Sequence, residues 1–293
     1  MDRRGFFGLT GLAALAAAPA GAASVRAKSL HSAPRLFVRD WGEGRPVLFV
    51  HGWALASEMW SYVMQPLSDQ GFRCIAYDRR GHGRSGDAGN GYDYDTLAGD
   101  LAGVMAERDL RDVVLVGHSM AAGELVRILR HREARRIAKL VFVAPAATPF
   151  LLKTADNPRG VDAAFFAQAR AQMAADFPAW IDANEAPFVL PETSPGMRRW
   201  IKAMMEAASL KALIECNKAM TTTDFRAELR AIDRPALVIH GTRDASAPLE
   251  MTGRPTAALI PGAELKVYEG APHGLFATHA PQLAADIAAF ARG

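Results

Sequence analysis

Apolar residues in this chain gather in short runs at 36–38, 47–50, 74–77, 113–116, 140–143, 237–239 and 265–268, unbroken except by Lys266 in the last. Runs of this length without polar alternation are what strands buried on both faces look like. Between them the period becomes helical, with apolar positions recurring three and four residues apart over 97–107 and 124–132. Strands alternating with helices predict an α/β fold: a mostly parallel sheet flanked by helices and built from βαβ units. From 148 to about 230 the strand-like runs vanish. Helical stretches rich in Ala, Phe, Met and Trp lie there between prolines. This segment, 148–230, reads as a helical cap inserted into a core made of 24–147 and 231–293, with the core resuming at Pro235.

Residues 1–23 stand outside that alternation. Arg3-Arg4 is followed by Phe6-Phe7 and by an Ala-rich apolar run from 9 to 18, with small residues Ala20-Gly21-Ala22 after it. A run this short does not span a bilayer, and the pattern predicts a twin-arginine-type export signal. The mature chain is then expected to start near Ala23 and to be periplasmic or secreted. No other stretch qualifies as a membrane span. The 293 residues, half of them hydrophobic, suffice for a large core. The net charge of +3 is dispersed, with no Lys/Arg block interleaved with aromatics, which argues against nucleic acid as a partner. Cys74 and Cys216 read as two buried free thiols, and no Cys/His cluster has metal-ligand spacing, so no metal site is expected.

The chemistry centres on Gly117-His118-Ser119-Met120-Ala121, which joins an apolar run to a helical segment. A serine at a sharp strand-to-helix turn is a nucleophile elbow. The turn lifts the hydroxyl out of the sheet and sets it at a helix N-terminus, where free N–H groups favour negative charge. Ala121 stands where the usual G-x-S-x-G pattern has its second glycine, a mild packing departure. A serine needs a base, and the base needs an orienting acid. Both should follow late strands in the order Ser, Asp, His. Asp244 follows the run at 237–239 and His273 the run at 265–268, so the predicted catalytic residues are Ser119, Asp244 and His273. His51-Gly52-Trp53 follows the run at 47–50, and the backbone N–H groups of Trp53 and Met120 are the predicted oxyanion donors.

From about Arg35 to its end the chain resembles the α/β-hydrolases, and within them the cofactor-free bacterial haloperoxidase/perhydrolase/aryl esterase group. The resemblance is carried by Trp41-Gly42-Glu43-Gly44, His51-Gly52-Trp53, the elbow, Gly123-Glu124 and the stretch Asp78-Arg79-Arg80-Gly81-His82-Gly83-Arg84-Ser85. Further on it is carried by Phe150-Leu151-Leu152-Lys153-Thr154, Asp156-Asn157-Pro158, Thr223-Asp224-Phe225-Arg226 and Ala271-Pro272-His273-Gly274-Leu275. It implies an α/β-hydrolase fold with an inserted cap. It also implies an acyl-serine intermediate that water deacylates, or that hydrogen peroxide converts to a peracid, without metal or haem. Many peracid-forming members have Pro after the oxyanion Trp, where this chain has Ala54, and Phe or Tyr often stands at the position of His118. Ala54 favours plain hydrolysis. The leading reading is therefore a serine hydrolase of small carboxylic esters or lactones. Perhydrolysis, carbon–carbon bond hydrolysis or acyl transfer, and a ligand-binding protein on the same fold remain the alternatives. Ser119 excludes relatives that use a carboxylate nucleophile.

The remaining candidates have plainer readings. His51, His82, His118 and His240 flank strand ends or glycine turns and read as hydrogen-bonded structural residues; His279 starts the last helix, and His31 and His131 are surface residues. Asp78, beside two arginines, is expected to hold its loop by ion pairs. It is a rival for the acid, but its strand precedes the elbow. Asp100 and Asp224 read as surface or loop-fixing. Of the cap residues Phe150, Phe165, Phe166, Trp180, Phe188, Trp200, Met204 and Met205, most are expected in the core and a few facing the serine as an apolar pocket.

Overall fold

The computed structural model describes residues 34–146, 148–185 and 188–293; the export segment expected at 1–23 and His31 lie outside them. Among the described residues seven strands form one sheet: β1 (Val38–Trp41), β2 (Arg45–Val50), β3 (Phe72–Tyr77), β4 (Val113–His118), β5 (Ile137–Val143), β6 (Ala236–Gly241) and β7 (Glu264–Tyr268). Their order is β1-β3-β2-β4-β5-β6-β7, parallel throughout except that β1 runs antiparallel to β3. Helices α1 (Ser61–Ser68), α2 (Tyr94–Glu107) and α3 (Ala121–Arg127) connect the first strands. Between β5 and β6 run α4 (Ala163–Ala175), α5 (Phe177–Asn184), α6 (Pro195–Glu206), α7 (Leu210–Thr222) and α8 (Arg226–Arg230). Then come α9 (Gly253–Leu259), α10 (Leu275–Thr278) and α11 (Ala280–Arg292). Among the described residues no helix is long and apolar enough to cross a membrane.

The unbroken apolar runs of β2, β4 and β6 are explained by burial on both faces, whereas β7, at the sheet edge, carries Lys266 and an exposed Val267. Along β2, Val47 and Phe49 pack with Met64 and Leu67 of α1 and Leu283 and Ile287 of α11. The alternate residues Leu48 and Val50 pack with Leu97 and Leu101 of α2 and Leu125 of α3. Successive side chains of a strand point to opposite faces, so a strand covered on both sides has no polar position. Each such side chain contributes about 1.5–3 kcal/mol by leaving water. Helices α5, α6 and α7 open on side-chain caps from Asp176, Ser194 and Ser209, and prolines sit in the first turns of α5 and α6.

Two boundaries differ from expectation. Leu36 and Phe37 precede β1 instead of starting it, because their segment pairs with a loop: Phe37 donates its N–H to Ser85 Oγ at 2.9 Å and accepts from Asp78 N–H at 2.9 Å. The helix expected over 124–132 ends at Arg127 and tightens into single 3₁₀ turns at Ile128–Arg130 and Arg132–Arg136.

Strand order reverses between β2 and β4, and the crevice at such a switch point, at the carboxyl ends of the strands, is where ligands bind in open α/β sheets. The pairing of Val50 with Gly117 brings the segment after β2 beside the turn after β4. At the far side, β6 and β7 are adjacent. Their following loops are joined by Arg243 N–H donating to Ala271 O at 3.0 Å. Gly241 is required there, since a Cβ on it would collide with that same Ala271 carbonyl.

Candidate active site

Ser119 sits on the turn between β4 and α3 with φ of +56°, a left-handed value uncommon for a residue with a side chain. The turn is held from both sides: Ser119 N–H donates to Val143 O at 2.9 Å, and its carbonyl accepts from Ala122 and Ala146 N–H at 3.1 and 3.2 Å. A Cβ on Gly117 would lie 2.6 Å from Leu125 Cδ1 and 3.2 Å from Ala121 Cβ. The space that Gly117 leaves is thus what admits the extra methyl of Ala121.

The structure brings Ser119, His273 and Asp244 together. His273 Nε2 is 2.9 Å from Ser119 Oγ, and His273 Nδ1 is 2.6 Å from Asp244 Oδ2. A carboxylate only accepts, so the imidazole proton sits on Nδ1 and Nε2 is left as an acceptor facing the serine hydroxyl. The three residues are 4–5% exposed. Asp244 Oδ1 accepts from Ser246 N–H at 3.0 Å and Ala247 N–H at 2.7 Å. Burial pushes the Asp244 carboxyl up, but His273 and the His240 hydrogen bond outweigh it and hold the group well below the usual carboxylate range. Trp53 and Met120 flank the serine after β2 and on the elbow, and neither backbone N–H has an acceptor among the described residues. The Trp53 indole donates to Leu213 O of α7 at 2.9 Å and meets Phe177 and Trp180 edge-on.

Sequence reasoning missed three partners. His240 Nε2 donates to Ala247 O at 2.8 Å and lies 3.1 Å from Asp244 Oδ2, so this histidine stands beside the same carboxylate oxygen that His273 engages. Its place four residues before Asp244, at a strand end, was the available signal. The other two form a fully buried ion pair, Arg79 with Glu124, which Tyr77 OH joins by donating to Glu124 at 3.1 Å. His118 fills its aromatic slot between Trp60 and Phe276 and lies 3.0 Å, through Nε2, from the His273 carbonyl. Among the described residues Asp78 makes no ion pair that would hold its loop. It accepts from the backbone N–H groups of Ser57 at 2.7 Å and Arg84 at 2.8 Å, while Arg79 and Arg80 turn away to Glu124 and Asp100. Of the cap aromatics, Phe188 lies against His273 with ring centroids 5.4 Å apart and its carbonyl accepts from Gly274 N–H. Phe165 is exposed. Cys74 and Cys216 are buried and free. A surface cleft of about 540 Å³, lined by Tyr92, Asp95, Arg127 and Lys218, contains none of Ser119, Asp244 and His273.

Three histidines near the site are buried and neutral. Burial, with the charge of Arg79 beside it, holds His82 down at about 3 and His51 well below its ordinary value. Burial and the neighbouring His273 hold His118 at about 3. A histidine depressed in the folded state stabilises fully above its unfolded pKa and loses that stability as pH falls toward its folded one. Stability should therefore decline below about pH 6.5, by roughly 1.4 kcal/mol per pH unit for each histidine that charges on unfolding. Thermal melts from pH 8 to pH 4 check this. A Tm that stays flat between pH 7 and 4.5 contradicts it.

Residues 45–280 match the family model described as alpha/beta hydrolase fold. The chain is 40% identical over 249 residues to the non-heme chloroperoxidase CPO-A1 of Kitasatospora aureofaciens, covering 82% of this chain and 89% of that one. It is 34% identical over 268 residues to the bifunctional esterase/perhydrolase DCH of Acinetobacter calcoaceticus, covering 88% and 96%. Among solved structures, a bromoperoxidase from Bacillus anthracis superposes with a TM-score of 0.84 at 34% identity, covering 89% of this chain and 96% of that one.

Proposed function

The chain belongs to the α/β-hydrolase fold family, and from that premise we propose that it is a serine hydrolase of small carboxylic esters or lactones. The observation that carries this reading is the continuous line of hydrogen bonds from Ser119 through His273 to Asp244, at 2.9 and 2.6 Å. Ser119 Oγ attacks the ester carbonyl while His273 Nε2 takes the hydroxyl proton. Asp244 holds the imidazole in that tautomer and stabilises the imidazolium. The N–H groups of Trp53 and Met120 donate hydrogen bonds to the carbonyl oxygen as negative charge develops on it; one such donor is worth about 10²–10³ in rate. Collapse of the tetrahedral intermediate returns the proton from His273 to the departing alcohol and leaves an acyl-serine. Water, deprotonated by His273, then releases the acid. The low exposure of Ser119 and the Phe188 ring against His273 support small, apolar acyl groups.

Perhydrolysis at the same serine is the second reading, favoured by the relatives named as chloroperoxidase and esterase/perhydrolase. It shares the acylation half, and hydrogen peroxide replaces water in the second, giving a peracid. Ala54 adopts φ of +61°. Proline, fixed near about −65°, cannot take that conformation, so this loop is not built as a proline-bearing one is, and on that ground we rank hydrolysis first. The deciding experiment follows p-nitrophenyl acetate and butyrate hydrolysis beside bromide oxidation in acetate and hydrogen peroxide. Ester turnover exceeding peracid formation is expected. Peracid formation that outruns hydrolysis exchanges the two readings, and inactivity in both assays overturns them.

A further inference from the structure

The buried pair of Arg79 and Glu124 lies directly behind the segment assigned to the oxyanion. Arg79 Nη2 donates to His51 O at 2.7 Å, and Nη1 donates to Gly52 O at 3.3 Å. The His51 ring adds to the same carbonyl: Nε2 accepts from Arg79 N–H at 2.8 Å, which places the ring proton on Nδ1, and Nδ1 is 2.8 Å from Gly52 O. Two consecutive carbonyls of the segment leaving β2 are thus gripped by one guanidinium, itself held by Glu124 through Nε at 2.9 Å.

The peptide unit matters here. Gly52 C=O and Trp53 N–H belong to one delocalised group. A charged donor on the oxygen withdraws electron density across that group and makes its N–H a stronger donor, the polarisation that strengthens chains of hydrogen bonds. The other end of the pair has a matching location. Glu124 is on α3, the helix that the Ser119 turn opens. The pair therefore ties the loop carrying one oxyanion donor to the helix whose first turn follows the other. A buried ion pair is by itself weak support for stability, since apolar replacements of like volume are often no worse. Its placement behind this peptide supplies a different role.

We propose that Arg79, held by Glu124, is a positioning residue for the ester oxyanion, acting through the Gly52–Trp53 peptide to fix and strengthen the Trp53 N–H. This rests on the serine-hydrolase reading above. The test is the paired variant Arg79→Met with Glu124→Gln, which leaves no lone buried charge. Its fold is checked by Tm and near-ultraviolet circular dichroism. The expected result is a 10- to 100-fold fall in kcat for p-nitrophenyl acetate, part of what losing a whole donor costs, with KM within about twofold. The Ki of a trifluoromethyl ketone, whose hemiketal alkoxide on Ser119 occupies the oxyanion position, should rise by the same factor. A merely structural pair would lower Tm without that matched rise. Unchanged kcat and Ki in the folded variant, or a change confined to KM, overturns the proposal while leaving the serine-hydrolase reading intact. An unsubstituted enzyme that neither turns over the ester nor binds the ketone overturns both. Should the paired variant fail to fold, Arg79→Lys carries the same test, because an ammonium keeps the charge but cannot bridge both carbonyls and Glu124.

Discussion

Replacing Ser119 with alanine is expected to lower ester turnover by about five to six orders of magnitude, the scale seen when a triad nucleophile is removed. The fold should survive the change. Alanine has no more difficulty than serine with φ of +56°, and Ala54 and Ala144 already sit at +61° and +43° in this chain. The bonds that hold the turn come from the backbone of residue 119 and its neighbours, so they remain. What disappears is the oxygen 2.9 Å from His273 Nε2, and with it the acyl acceptor. His273→Ala should cost about as much alone, and the two changes together little more than either, because nucleophile and base act as one unit. Measuring kcat/KM for p-nitrophenyl acetate on the three variants, each with a melting curve, decides the matter. A Ser119→Ala protein that keeps more than about one part in a hundred of the parent rate sinks the covalent mechanism, since the residual rate of a triad knockout lies far below that.

How far the molecule could be read from its sequence depends on the range of the interaction involved. The strand runs were legible because β2, β4 and β6 are buried on both faces, so a local composition signal reports a tertiary fact. The places of Ser119, Asp244 and His273 were legible for a related reason: each follows a buried strand, and parallel strands deliver their following loops to one edge of the sheet. The expectation for Leu36 and Phe37 failed where pairing left the ladder, since a run with strand composition can satisfy its backbone on a loop 41 to 48 residues away instead. Helix α3 ends early, a boundary that apolar spacing fixes only loosely. The ion pairs expected at Asp78 failed because adjacency in sequence does not decide direction. Arg79 follows Asp78 in the chain, yet its side chain reaches 45 residues ahead to Glu124, while Asp78 serves backbone donors. Such pairings across the fold have no period to betray them.

The second large effect concerns Asp244, and its size follows from what each of its oxygens does. Oδ1 accepts from two backbone N–H groups, those of Ser246 and Ala247. Oδ2 accepts from His273 Nδ1, with His240 Nε2 lying 3.1 Å away. In Asp244→Asn the amide oxygen stays on the two backbone donors, because an NH₂ group there would face two N–H groups. The NH₂ must then occupy the Oδ2 position and point its hydrogens at His273 Nδ1. His273 can meet a donor only by exchanging tautomers, which leaves Nδ1 bare and puts its proton on Nε2, against the hydroxyl it should deprotonate. The base is lost although no atom has moved far. His240 keeps a partner, since Ala247 O lies 2.8 Å from its Nε2, so the loop should hold. A fall in kcat of about 10⁴ is expected, the cost of this tautomer error in a serine triad, with only a small change in Tm. Kinetics of Asp244→Asn against the parent at neutral pH measure it, and a variant within tenfold of the parent rate would show that His273 draws its orientation from elsewhere. The parent carboxylate, held well below its usual range by His273 and His240 against its burial, should remain ionised through mildly acidic pH. Acid loss of activity above about pH 5 then belongs to groups that titrate higher, not to Asp244, because a carboxylate with a depressed pKa loses its charge only at more acid pH.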